Sequence, residues 1–288
     1  LFKRFADIDA FPICLDTQDT EEIIKAVKQI APVFGGINLE DISGPKCFEI
    51  EERLRRELSI PVMHDDQWGA GTVILAGLIN ALKITGRKKE NIRVVINGIG
   101  AAGVATSRLL IHYGIKNIIF VDSKGVIHSE RDDLTKEKKE LLEGSSIKNI
   151  KGNLKEALVG ADVFIGLSKP GILTGDMVRG MEEKPIIFAL ANPVPEIMPD
   201  VAREAGAYVV ATGRSDFPNQ LNNSLVYPGI FKGMLEANIS QFKIEMFIAV
   251  AEKLAESVSQ ISQDKILPTM FDKNIVKIIS ETIQGFKG

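Results

Sequence analysis

The chain has 288 residues, 45% hydrophobic and 25% charged, with a formal net charge of −3. That length suggests about two domains, the composition is that of an ordinary globular protein, and the near-neutral charge excludes electrostatic recruitment of nucleic acid or an anionic membrane. The longest apolar stretch, residues 72–82, is too short to cross a bilayer, and no signal-peptide pattern opens the chain.

Residues 1 to about 67 predict strands at 12–15, 33–39 and 61–63, with helices over 21–30 and 45–58. Cys14 falls in the apolar run Phe11-Pro12-Ile13-Cys14-Leu15 and reads as a buried thiol. Neither it nor Cys47 asks for a disulfide or zinc, so a reducing cytoplasm is the expected location. A helix over 69–82 leads to five further strands, at 93–96, 117–121, 162–166, 185–190 and 208–211. Beyond Pro228 the pattern is helical, the longest pieces being 242–260 and 271–286. Strands alternating with helices predict an α/β fold with a doubly wound parallel sheet of the Rossmann type, part of a smaller α/β domain and C-terminal helices. The expected divisions are 1–68, 69–230 and 231–288.

The strand at 93–96 runs through Asn97 into Gly98-Ile99-Gly100-Ala101-Ala102-Gly103, and a helical pattern follows from Val104. A lone GxGxxG is weak evidence; between a strand and a helix it stands in the context that dinucleotide binding requires. The glycines admit a pyrophosphate to the helix N-terminus. The next strand ends in Asp122, about two dozen residues past Gly98 and close to the ~20-residue spacing of a ribose-hydroxyl acceptor. A carboxylate there favours NAD over NADP, while Ser123, Lys124 and Arg131 just beyond it temper repulsion of a 2′-phosphate.

Glu40-Asp41 and Asp65-Asp66 each end a strand-like run. Ligands of open parallel sheets bind beyond the carboxyl ends of strands, and hard oxygens gathered there suit Mg²⁺ or Mn²⁺. The alternative is that these acids cap helices. His64 reads as a strand-end residue. Asn192-Pro193 and the run Asn219-Gln220-Leu221-Asn222-Asn223 lie at later strand ends. They could serve a dicarboxylate or a carboxamide, but on the residues alone turn chemistry is the favoured reading.

Together the motifs resemble those of the malic enzymes, and most closely the short bacterial type. They comprise residues 11–17 (FPICLDT), 36–49 (GINLEDISGPKCFE), 60–67 (IPVMHDDQ), 97–105 (NGIGAAGVA), 121–125 (VDSKG), 188–195 (FALANPVP) and 213–229 (GRSDFPNQLNNSLVYPG). The resemblance implies NAD(P)-dependent oxidative decarboxylation of malate to pyruvate and CO₂ with a divalent cation. It implies Glu40, Asp41 and Asp66 as metal ligands, and Asp65 as support for a catalytic lysine. Asn192 and Asn223 would lie near nicotinamide and malate, and a homo-oligomer, dimer or higher, is expected. The cation would act as a Lewis acid on the carbonyl formed by oxidation.

Three departures qualify the resemblance. The family's Gly-Lys general base, its partner tyrosine and a substrate-binding arginine are expected upstream of Leu1, since the chain opens Leu1-Phe2-Lys3 with Lys3 out of register. By itself the 288-residue chain is therefore expected to be a poor catalyst, because each acid–base group contributes ~10²–10⁴-fold. Gln67 is followed by Trp68-Gly69-Ala70-Gly71 where the family has His-Gly-Thr-Ala, and a large Trp68 is expected to reshape the pocket wall. Malolactic enzymes share these motifs, so a lyase with tightly bound NAD is one rival reading. A non-catalytic module binding NAD and metabolites is another.

Overall fold

A computed structural model describes residues 1–269, 271–272 and 274–287. After a short π-helical turn at Phe2–Ala6, the chain builds a small lobe from α1 (Thr20–Ile30), β1 (Ile37–Leu39), α2 (Lys46–Glu57) and β2 (Val62–His64). Asp19 starts α1 by accepting from the amides of Glu21 and Glu22. The amphipathic faces of α1 and α2 bury Ile23, Ile24, Val27, Ile50 and Leu54 against Leu39 and Val62, an apolar cluster of their own. β1 and β2 pair in parallel, with Leu39 opposite His64.

α3 (Asp65–Thr85) leaves β2 directly. It is apolar on nearly every side, the pattern of a helix surrounded by protein. By length and composition it is the one helix among the described residues apolar enough to cross a membrane, but 78% of its most apolar window is buried inside the molecule, as in a core helix.

The larger sheet follows: β3 (Val94–Asn97), α4 (Ala101–Tyr113), β4 (Ile118–Asp122), β5 (Gly125–Val126), α5 (Lys136–Gly144), α6 (Leu154–Leu158), β6 (Val163–Gly166), α7 (Gly175–Arg179), β7 (Ile186–Ala189), α8 (Pro199–Glu204) and β8 (Val209–Thr212). Strand order is β5-β4-β3-β6-β7-β8, all parallel except the β4–β5 ribbon. The topological switch point lies between β3 and β6. The strands read as unbroken apolar runs because both faces are covered. Val94 and Ile96 face the core shared with α3 and α4, and Val95 faces the one shared with α6 to α8. α9 (Tyr227–Ala237), α10 (Ile244–Glu256) and α11 (Ile275–Gln284) close the fold. α10 packs on α3, and α11 on α9.

Among the described residues, seven of the eight strands and the alternating pattern match the sequence reading; the short β5 was not expected. Four local expectations are corrected. Residues 12–15 form no strand: Phe11, Ile13 and Leu15 stay exposed and no strand pairs with them, so Cys14 is exposed, not buried. Of 33–39 only 37–39 is a strand. Val33 belongs to a 3₁₀ turn and is 80% exposed, since the Pro32 ring lacks the N–H that a ladder needs. Pro45 is the N-cap of α2 and not its first residue. The helix expected from Gly69 starts four residues earlier, at Asp65, which places the second acidic pair inside its first turn. Within the expected helix 271–286, Lys273 lies outside the described residues.

Candidate active site

Pairing of Leu39 with His64 makes the two acidic pairs emerge side by side from β1 and β2. Asp41 adopts φ 57°, a left-handed conformation that Asp tolerates better than most residues. Its backbone N–H donates to Asp66 Oδ2 at 3.0 Å. The carboxyl of Glu40 is pushed up by partial burial and then by the charges of Asp41 and Asp66.

Asp65 is fully buried. Its Oδ2 accepts from Asn223 Nδ2 at 2.7 Å, and its Oδ1 has no hydrogen-bond partner among the described residues. Burial first, then Asp66 and Glu40, raises its pKa to about 8. A Cβ on residue 69 would stand 2.2 Å from Asp65 Oδ1, so Gly69 makes room for the carboxyl one helical turn earlier.

The donors are hard oxygens at two adjacent strand ends, held under mutual repulsion. This set fits a divalent cation in chemistry. As placed, no group of three or more His, Cys, Asp or Glu side chains among the described residues stands in ligating geometry. His64, set aside from the sequence, is fully buried with Nε2 3.7 Å from Asp66 Oδ2, and burial chiefly lowers its pKa toward the neutral form.

Three further residues were missed or misjudged from the sequence. Glu51 is buried in the apolar stripe of α2 beside Cys47, Ile50 and Leu54. Its carboxylate accepts from His64 N (3.0 Å), Gln67 Nε2 (2.9 Å) and Trp68 Nε1 (2.9 Å), and so fixes the β2–α3 junction that carries Asp65 and Asp66. An acid inside a hydrophobic helical stripe was the available signal. Trp68 does not reshape a wall of the acidic site. It turns to Glu51 and stacks on Phe247 with ring centroids 4.8 Å apart, because its indole N–H needs a partner and its ring an apolar bed. Tyr227, given no role from the sequence, is the first residue of α9. Burial and then the charges of Asp65 and Glu40 push its phenol up to about 12.

At the fingerprint, Gly98 has φ +103°, and a Cβ there would meet Leu167 O at 2.4 Å. A Cβ on Gly103 would lie 1.9 Å from Gly98 O, whereas one on Gly100 would meet nothing within 4 Å. Gly100 caps α4 without any side-chain hydrogen bond, which leaves the first-turn amides around Ala101 and Ala102 for an anion. Ile99 tucks its side chain toward the core.

Asp122 ends β4 as expected, but its oxygens are already engaged. Arg131 Nη1 and Nη2 donate to them at 2.9 Å each, Lys138 Nζ at 2.7 Å and the Lys124 amide at 2.9 Å. Burial opposes ionisation, yet these donors outweigh it and hold the carboxyl below its ordinary range. Lys124 Nζ pairs with Asp133 at 2.8 Å, and Ser123 lies exposed in the β4–β5 turn. Asn192 stands exposed at the carboxyl end of β7, with no side-chain hydrogen bond to the described residues.

The family model "Malic enzyme, NAD binding domain" matches residues 68–283, and "Malic enzyme, N-terminal domain" matches 1–55. An NAD-dependent malic enzyme of Geobacillus stearothermophilus is 51% identical over 98% of this chain; the chain spans 59% of that relative's length. A bifunctional malic/malolactic enzyme of Bacillus subtilis is also 51% identical, over 98% of this chain and 70% of its own. The crystal structure of an NAD-dependent malic enzyme from Thermotoga maritima superposes with a TM-score of 0.95 at 47% identity, covering 99% of this chain and 75% of that one.

Proposed function

Because the chain belongs to the malic enzyme family, we propose that it oxidises malate with a nicotinamide dinucleotide and decarboxylates the product to pyruvate and CO₂. The observation that carries this reading is the Asp65–Asn223 hydrogen bond at 2.7 Å. It joins the acidic cluster to the segment that follows the last strand of the dinucleotide sheet, so one small acid can meet both sites. Mg²⁺ or Mn²⁺ held by Glu40, Asp41 and Asp66 would supply a Lewis acid for the oxygen on the reacting carbon. Asn192 and Asn223 can donate to a carboxylate or carboxamide. Asp65, whose carboxyl burial and the neighbouring acids Asp66 and Glu40 push up, keeps one buried oxygen for the amine of a neighbouring base. The glycine turn seats the pyrophosphate and Asp122 faces the adenosine ribose. The division into 1–68, 69–230 and 231–288 belongs to the same proposal; the small lobe's separate apolar cluster supports its first boundary. A cytoplasmic location and a homo-oligomer are further parts of it.

The test titrates Mn²⁺ and NADH separately into the protein for binding and, in a second assay with malate, NAD and Mn²⁺, follows NADH formation. Binding of both is expected, with only slow release of CO₂ by the 288-residue chain alone; a chain that takes neither ion nor dinucleotide ends the reading. The bifunctional relative supports a second activity, release of lactate with NAD retained. Lactate formed without net NADH would identify it.

On cofactor choice, a carboxylate whose acceptor positions are filled discriminates weakly against a 2′-phosphate. Lys124, Arg131 and Lys138 supply cations at the same place. We therefore propose that NAD is used and NADP tolerated.

A further inference from the structure

Glu196 belongs to no motif so far assigned a role, yet its side chain is fully buried. Its two oxygens are divided between two loops. Oε1 accepts from the Ser168 amide at 3.0 Å, just beyond β6, and Oε2 from the Ala191 amide at 2.9 Å, just beyond β7. Ser168 Oγ in turn accepts from Asn97 Nδ2 at 2.6 Å, and Asn97 is the last residue of β3. One chain of hydrogen bonds therefore ties the carboxyl ends of β3, β6 and β7. The backbone is cut to fit it: a Cβ on Gly166 would lie 2.5 Å from Glu196 Cδ. The Leu167–Ser168 loop is the same one that presses on Gly98, where a Cβ would meet Leu167 O.

Burying a carboxylate is costly unless it is fully hydrogen-bonded, and burial does push the Glu196 pKa up against the pull of these amides. Bonds from amides to a charged acceptor are stronger and more directional than neutral ones. Such a staple defines loop positions more sharply than apolar packing does. In a doubly wound sheet the two nucleotide halves lie on opposite sides of the switch point. With the adenosine half over β3 and β4, the nicotinamide half crosses β6 and β7, the two strands that Glu196 joins.

We propose that Glu196 is a positioning residue for the nicotinamide half of the cofactor, acting through the Ser168 and Ala191 loops. This rests on the dinucleotide reading above and assigns no new contact to the adenosine half. The test compares ADP-ribose, which lacks nicotinamide, with NADH in wild type and Glu196→Gln. Glutamine keeps the volume but faces one amide with a donor in place of an acceptor. Expected are an ADP-ribose Kd within about twofold of wild type, an NADH Kd weakened about tenfold, and loss of the blue shift in nicotinamide fluorescence on binding. Equal weakening of both ligands, or of neither, overturns the proposal, since a merely structural carboxylate would not distinguish the two halves. Should Glu196→Gln fail to fold, Glu196→Asp keeps the charge but is one methylene too short to reach both the Ser168 and Ala191 amides, and the same selective loss for NADH is required of it. Wild-type protein that binds no ADP-ribose would instead overturn the dinucleotide reading itself.

Discussion

Among single residues, Asp65 makes the firmest claim. Its pKa of about 8 lies well above the ~3.9 of an unfolded aspartate. Between those values the folded state binds more protons than the unfolded state. Its contribution to stability is therefore present at low pH and is lost as pH rises from about 4 to about 8. Without added cation, stability should fall across that window by up to about 1.4 kcal/mol per pH unit from this group. Asp65→Asn should flatten the slope, as read by urea unfolding at a series of pH values; an unchanged slope would place the effect elsewhere. Asp41→Ala or Asp66→Ala should weaken Mn²⁺ binding about 100-fold or more while leaving NADH affinity intact, by calorimetric titration. At the proposed ribose end, Arg131→Ala removes a cation and frees acceptor positions on Asp122. NADPH affinity should drop about tenfold relative to NADH; a drop shared equally by both cofactors would mean that Arg131 only supports the fold.

At the level of elements, the fingerprint separates binding from folding by glycine position. Gly100→Val should leave the melting temperature nearly unchanged, because its Cβ meets no protein atom within 4 Å, yet abolish NADH binding. Gly103→Ala should lower the melting temperature, because its Cβ would collide with Gly98 O. If Gly100→Val unfolds the protein, the turn is not the open cradle described. The same elements show what was legible beforehand. β3 to α4 was readable because strand, glycine turn and helix are contiguous in sequence. The acidic pairs were readable as strand-end residues, but their meeting depends on the Leu39–His64 register, which no local pattern states. Residues 12–15 look like a strand by composition, but a strand also needs a neighbour to fill its hydrogen bonds. Lys138 and Glu196 escaped notice because their partners, Asp122 and the Ser168 loop, are distant in the chain. Trp68 was misjudged because its role depends on Glu51 and Phe247, each on another helix.

For the whole molecule, the small lobe and the dinucleotide sheet differ in how they are held. The small lobe buries one compact apolar cluster around a two-stranded sheet, whereas α3 and the C-terminal helices share the extended core of the larger sheet. Fewer buried contacts mean a lower free energy of local opening. The proposed metal ligands straddle this boundary. Glu40 and Asp41 follow β1 in the small lobe, and Asp66 lies in the first turn of the core helix α3. A cation binding all three would tie the weaker lobe to the stronger one, and a ligand that binds only the closed arrangement stabilises it by mass action. Hydrogen exchange should show the amides of α1, β1 and α2 exchanging faster than those of β3, β6 and β7 without cation. Saturating Mn²⁺, at about 100 times its Kd, should slow exchange in the small lobe by about 100-fold, or ~2.7 kcal/mol, and leave the central strands unaffected. Asp66→Ala should remove this protection although the mutated residue lies outside the lobe that is protected. Protection confined to α3, or undiminished in Asp66→Ala, would mean that the ion does not bridge the two parts.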